Sequence, residues 1–317
     1  MKMISVIIRC YNEEEHIGRL LTGITQQTVK NIEIILVDSG STDATLSIAS
    51  RFPVKIVYIS PDEFSFGRAL NRGCREAQGN YLVFISAHCW PVYHDWLEQI
   101  VKSFADEKVA LVYGKQRGNE ITKFSEHQIF RNWFPEKTDL LQNHPFCNNA
   151  NCAIRREIWE RIPYNEDLTG LEDIDWAKRA LDAGYIIAYS AEAEIIHVHQ
   201  ETPERIFNRY FREAIALKNI FPHEKFSFWD FLKLYSSNVY SDCIKAYREK
   251  ILSDTILDIF QFRFMQFWGA YKGFSQRDPL SKKLKNTFYY PNNSPKHPPE
   301  YTRLNPIDYN RTESEES

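Results

Sequence analysis

Several short segments of this sequence gather side chains that can bind ions or move protons. Three are polar stretches: Arg9-Cys10-Tyr11-Asn12-Glu13-Glu14, Asp38-Ser39-Gly40-Ser41-Thr42-Asp43 and Ser86-Ala87-His88. Asp38 ends an apolar run, where its carboxylate can accept hydrogen bonds from a base or ribose. Charge-assisted bonds of that type contribute roughly 1.5–3 kcal/mol. The same residues also make a turn and helix cap, with Asp and Ser bonding their own backbone. Glu172-Asp173 follows Gly170 at a helix start, where backbone N–H groups and the helix dipole hold a carboxylate ionised. Acidic residues also simply favour a first helical turn. His197-Val198-His199 has period-two spacing, so on a strand both imidazoles face one side. That suits a shared metal ion or a diphosphate, and equally two surface histidines. Asn148, Asn149 and Asn151 form a cluster of amides suited to sugar hydroxyls or to a turn.

The flanking residues predict what holds these groups in place. Ile4–Ile8, Ile32–Val37, Val54–Ile59 and Tyr81–Ile85 are short β-branched or aromatic runs expected as strands buried on both faces. Between them, helices are expected over residues 13–27, from the Ser41/Asp43 caps to about Phe52, and over Phe66–Ala77. Such alternation implies a parallel sheet with right-handed crossovers, and such sheets bind ligands beyond the carboxyl ends of their strands. The three polar stretches all fall at those ends. Further along, a strand is expected at Val109–Tyr113, helices from about Arg155 and from Gly170 to near Gly184, and strands at IIAYS and AEIIHVHQ.

Motif and composition exclude several classes. The first strand-to-helix turn carries two carboxylates and no glycine, so it lacks the G-x-G-x-x-G that lets backbone approach a dinucleotide pyrophosphate. No P-loop is present. Lys+Arg 39 against Asp+Glu 42 gives a net charge of −3 and no basic field for nucleic acid. With 317 residues, 43% hydrophobic and 26% charged, the chain is globular and long enough for one large α/β domain or two smaller ones. MKMISVII enters a strand pattern directly, and no stretch is apolar enough to span a bilayer, which points to a soluble cytoplasmic protein. The six cysteines contain no CxxC pair and are expected as free, mostly buried thiols.

The ordered set of motifs resembles the family 2 glycosyltransferases with the GT-A fold. Ser5–Glu13, Ile34–Asp43 and Gly79–Ile85 resemble its nucleotide-sugar half. Glu63–Gly73, Val109–Gln116 and Asn149–Arg156 are similar to bacterial rhamnosyltransferase-like members, and the likeness spans about residues 4–215. It implies an α/β GT-A fold with a mainly parallel central sheet and a helical C-terminal extension. It also implies an inverting hexosyl- or deoxyhexosyltransferase of bacterial surface polysaccharide (capsule or O-antigen), moving sugar from a nucleotide-diphospho-sugar to a glycan or lipid-linked acceptor. Residues 1–100 are expected to bind the donor and 101–205 the acceptor. Residues 206–290 are expected as an aromatic-rich helical extension, and 291–317 as a disordered Pro-rich, acidic tail. The non-enzyme alternative is a nucleotide- or carbohydrate-binding protein that kept the fold.

The resemblance assigns donor contacts to Cys10, Tyr11, Asn12, Glu13, Asp38, Ser39, Arg68, Asn71, Ser86, Ala87 and His88. Asp173 is expected as general base, with Glu172 orienting it or binding acceptor, Asn149 and Asn151 as sugar contacts, and Trp176 as core packing or a sugar contact. Two positions depart from the family pattern. His88 stands where a metal-binding carboxylate is expected, offering a neutral nitrogen in place of a charged oxygen. It leaves three readings: Mn²⁺ or Mg²⁺ bound with His199 or His197, a diphosphate neutralised without metal, or a lost site. Leu70 replaces an arginine, with Arg68 or Arg72 as substitutes. Fifteen aromatic residues lie between Phe221 and Phe274, about twice the density of the whole chain's 14%. They pack helices onto the catalytic domain or lie on a membrane surface beside Lys233, Lys245, Arg248, Lys250 and Arg263.

Overall fold

The computed structural model describes residues 3–277 and Tyr289. The expected N-terminal strands form β1 (Ile4–Cys10), β2 (Ile32–Asp38), β3 (Val54–Tyr58) and β4 (Tyr81–Ser86). They are joined by α1 (Ile17–Thr25), α2 (Thr45–Ala49) and α3 (Phe66–Glu76). The strands lie in the order β3-β2-β1-β4, all parallel. The chain steps outward from β1 to β3 and then returns to the other side of β1. A crevice therefore opens beyond the carboxyl ends of β1 and β4, where the order reverses. Alternation along β1 feeds two cores: Val6 and Ile8 pack with Leu20, Leu21 and Trp96, and Ile7 packs with Leu70, Cys74 and Phe84.

Past β4 the sheet becomes mixed. β5 (Cys89–Pro91) and α4 (Trp96–Val101) lead to β6 (Val109–Arg117), α5 (Phe124–Trp133), β7 (Asp139–Gln142) and β8 (Asn151–Arg155). α6 (Arg156–Arg161), α7 (Glu172–Asp182) and β9 (Ile186–His197) follow. β8 is antiparallel between β4 and β6, β6 and β9 are parallel, and β5 and β7 pair antiparallel with β9. The two strands expected near residues 186–200 are one, β9, whose register with β6 shifts between Gly114 and Gln116. α5 escapes the apolar periodicity because Ser125, Glu126 and Gln128 are buried polar residues within it. α2 has only five residues; Ser41 bonds the β1 loop, and Asp43 bonds both that loop and Thr45, the first residue of the helix.

Among the described residues the extension forms three helices, α8 (Pro203–Ile220), α9 (Phe228–Arg248) and α10 (Leu252–Ser275). Ser227 and Asp230 form a capping box that starts α9. α10 lies so close to α8 that a Cβ at Gly269 or Gly273 would sit 2.6 or 2.5 Å from the carbonyl oxygens of Phe207 and Phe211. Phe231, Val239, Ile259 and Phe262 are buried in the extension, while Trp229, Tyr240, Tyr247 and Leu257 are exposed. No helix among the described residues is long and apolar enough to cross a membrane. All six cysteines are free, five buried and Cys243 half-buried, as expected. The expected tail, 291–317, and the end of the extension lie outside the described residues.

Candidate active site

The loops after β1 and β2 hold each other. Asn12 N–H donates to Ser41 Oγ at 3.0 Å and Thr42 N–H to Asn12 Oδ1 at 2.8 Å. Glu13 N–H donates to Thr45 Oγ1 at 2.7 Å, and Ala44 N–H to Glu14 Oε2 at 2.8 Å. The laced loops form one wall of a cavity of about 700 Å³ at the carboxyl ends of β1 and β4, a size ordinary for ligand sites. Among the expected residues, Cys10, Tyr11, Asn12, Glu13, Ser39, Ser86, His88, Asn149, Glu172, Asp173 and His199 line it, together with His197. The opposite wall comes from α8, with Arg205, Arg209 and Arg212. Non-glycine residues with left-handed backbone are rare, and two of the described ones, Asn12 (φ 53°) and Leu171 (φ 54°), line this cavity.

His88, His197 and His199 each bring a ring nitrogen within 4.8 Å of the other two. His88 Nδ1 lies 2.9 Å from Glu13 Oε1, His197 Nδ1 2.7 Å from Gln116 Oε1 and His199 Nδ1 2.8 Å from Glu126 Oε1. The Glu13 and Gln116 oxygens accept, so these contacts put the proton of His88 and His197 on Nδ1 and leave Nε2 as the lone pair, whereas His199 Nδ1 meets both Glu126 and, at 3.1 Å, the Arg209 guanidinium, which only donates. His197 Nε2 is buried and has no hydrogen-bond partner among the described residues. Burial and then the charges of His199, His88 and Arg209 push His197 well below the usual imidazole range. His88 is also disfavoured as a cation by burial, but the charge and hydrogen bond of Glu13 outweigh that and raise its pKa. Burial likewise opposes ionisation of Glu126, yet His199 and Arg209 overturn it and bring its carboxyl down to about 2. A buried lone pair without a partner, on a ring oriented by an outer acceptor, is what a resident divalent ion requires. The three histidines fit such an ion.

Across the cavity, Leu171 turns the chain into α7 and presents Glu172 and Asp173. Arg9 Nη1 donates to Glu172 Oε1 at 2.9 Å. Asp173 accepts from the N–H groups of Asn149 (3.0 Å) and Ile174 (2.9 Å). The expectation that the helix start keeps Asp173 ionised is corrected here. Burial first, and the adjacent Glu172 charge second, outweigh those two N–H bonds and push its pKa up to about 7. The pair holds a proton near neutrality.

Several expected contacts are used elsewhere. Asp38 is 1% exposed and its oxygens accept from Gly40 N–H (3.0 Å), Ser41 N–H (3.1 Å) and the Cys10 thiol (3.5 Å), which is the turn reading of that segment. Asn71 is buried against Tyr164, Trp159 and Glu166, and Arg68 pairs with Glu166 at 2.8 Å, so neither reaches the cavity. Ala87 and Leu70 belong to the core. Asn151 staples β8 to its neighbours, accepting from Trp96 Nε1 and donating to the carbonyls of Lys115 and Ala193. Trp176 is fully buried with Nε1 on the Ile162 carbonyl, so no face remains for a sugar. Sequence reasoning placed Arg9 in the first polar stretch without a role of its own and missed Gln116, Glu126 and Arg209 as site residues. Gln116 had a signal, as a polar residue on the apolar run of β6. Glu126 had none, because its partner is 73 residues away.

Comparison with known proteins follows the same lines. Residues 5–162 match the family model described as glycosyl transferase family 2. The O-antigen chain rhamnosyltransferase WbaN of Salmonella anatum is 34% identical over 201 residues, 60% of this chain and 64% of that protein. This chain thus spans just under two thirds of that relative. RfbN of Salmonella typhimurium, also an O-antigen chain rhamnosyltransferase, is 28% identical over 67% of this chain and 71% of its own length. Among solved structures, the mannosyltransferase PcManGT of Pyrobaculum calidifontis, in complex with GDP-Man and Mn²⁺, superposes with a TM-score of 0.60 at 19% identity. It covers 86% of this chain and 87% of its own, a likeness of fold.

Proposed function

The chain belongs to glycosyl transferase family 2, whose model its residues 5–162 match, and from that premise we propose an inverting sugar transfer. The donor is a nucleotide-diphospho-sugar and the acceptor is a glycan or lipid-linked hydroxyl in surface polysaccharide synthesis. The observation that carries this reading is that a proton-accepting carboxylate pair and a cluster of imidazoles and guanidinium groups open on one cavity. Displacement at an anomeric carbon needs both. One side takes the acceptor hydroxyl's proton while the other absorbs charge on the departing diphosphate.

In this reading Asp173 is the base. Its pKa, raised to about 7, lies near neutrality, and a general base is most effective when its pKa lies near the pH at which it works. The acceptor oxygen bonds to the anomeric carbon, the bond from that carbon to phosphate oxygen breaks, and the proton passes to Asp173. Glu172, fixed by Arg9, orients the acceptor. Tyr11, Ser39 and Ser86 contact the nucleotide from the loops of residues 1–100, and residues 101–205 take the acceptor. His88, His197 and His199 would hold a divalent ion, which when bound supplies positive charge to the diphosphate. The names of the rhamnosyltransferase relatives and of a fold neighbour bound to GDP-Man support a donor of this class and a deoxyhexose or hexose as cargo.

The test is release of nucleoside diphosphate from a panel of UDP-, dTDP- and GDP-sugars with polysaccharide-derived acceptors, with the product anomer assigned by NMR. Release from one donor, with the anomeric configuration inverted, is expected. Retained configuration would remove the direct displacement. Nucleotide binding without release from any donor would make the chain a binding protein.

A further inference from the structure

Resting on that reading of the cavity, we propose that His88, His197 and His199 form an all-nitrogen site that takes a borderline transition ion of the Co²⁺/Zn²⁺ class and refuses Mg²⁺. Glu13, Gln116 and Glu126 are its positioning residues. The cluster is three imidazoles, with no carboxylate joining it among the described residues. Mg²⁺ demands oxygen ligands and gives up its water reluctantly, so three neutral nitrogens offer it little. Imidazole suits the later first-row ions, and affinity on such a donor set rises from Mn²⁺ towards Co²⁺ and the ions beyond.

Orientation of the rings is already fixed. Each Nδ1 has its own acceptor, at 2.9, 2.7 and 2.8 Å, supplied from the β1 loop, from β6 and from α5. These three partners are separate from one another in sequence, so the convergence of the ring nitrogens is built by the fold and not by one loop. The orphan Nε2 of His197 is the atom that this arrangement leaves for the ion. Arg209 stands close by, with Nη1 3.1 Å from His199 Nδ1, but Glu126 (3.0 Å) and Glu201 (2.8 Å) match its charge. That pairing weakens its repulsion of a cation. Three protein nitrogens also leave positions for oxygen ligands from a diphosphate.

The experiment uses Co²⁺ as the probe on the full chain, stripped of metal. A visible d–d absorption that saturates at one equivalent is expected, displaced by Zn²⁺ and untouched by about a hundredfold excess of Mg²⁺. Glu126→Gln and Gln116→Ala should each weaken Co²⁺ binding about 10–100-fold. His197→Leu should remove the band. No band, displacement by Mg²⁺ at comparable concentration, or unchanged affinity in both outer variants would overturn the proposal. Should Glu126→Gln fail to fold, Gln116→Ala and the wild-type competition with Mg²⁺ still decide. Nucleotide release measured with chelator separates the two readings. Release without a Co²⁺ band sinks the metal site alone, whereas a band without release from any donor sinks the transferase alone.

Discussion

Two buried polar clusters in this chain are built to opposite rules. Around Asp242 in α9 the carboxylate is answered: Arg263 donates at 2.7 and 3.1 Å and Ser125 Oγ at 2.8 Å. Gln266 accepts from the same guanidinium at 2.8 Å. Around His197 the bonding stops half-way, since Nδ1 meets Gln116 while His197 Nε2 and Gln116 Nε2 have no partner among the described residues. A satisfied network rigidifies a core, and a half-satisfied one costs stability unless a ligand completes it. The first fastens α9 and α10 to α5, and the second faces the cavity. α5 belongs to both, through Ser125 on one side and Glu126 on the other.

Breaking the closed cluster should have the largest effect. Arg263→Met leaves Asp242 buried without its cation, a loss of about 3–5 kcal/mol in urea unfolding. A loss under about 1 kcal/mol would mean that the network does not fasten the extension.

The carboxylate pair gives the next effect, and its sign depends on pH. The folded-state pKa of Asp173 lies above its ordinary 3.8, so the folded chain holds the extra proton between that value and neutrality. The contribution is complete below the unfolded value and is lost as pH rises through about 7. Asp173→Asn should therefore raise Tm by several degrees at pH 8 and by much less at pH 4. An equal shift at both would contradict the raised value.

The open cluster should respond more weakly. His197→Leu deletes an orphan nitrogen but also the partner of Gln116, so the metal-free protein should change by about 1 kcal/mol or less. A loss as large as that of Arg263→Met would erase the contrast between the clusters. Smallest is the relief of Leu171, whose left-handed backbone suits glycine. Leu171→Gly should stabilise by under about 1 kcal/mol, because the entropy of glycine offsets most of the strain removed. A marked loss would show the leucine side chain to be worth more than its backbone costs.

How much of this was legible in the sequence follows from the range of each interaction. β1 to β4 are short runs dominated by apolar residues, readable without context, and the polar ends of β1 and β4 pointed to the crevice. His197 and His199 announced themselves by their spacing. Their acceptors did not, because Gln116 and Glu126 are 81 and 73 residues away. Arg68 and Asn71 went astray for the same reason: Glu166, 98 and 95 residues on, claims both. Asp38 could be read two ways from local chemistry, and its own loop took the carboxylate. At Asp173 the local reading failed outright, since burial and Glu172 overrode the helix start.

The most direct test is the transfer rate of Asp173→Asn beside its affinity for the donor nucleotide. A general base contributes about 10²–10⁴-fold, so the rate should fall by at least about a hundredfold while nucleotide affinity stays within about twofold of wild type. A variant that keeps more than half of the wild-type rate would contradict the account, because the proton would then leave by another route.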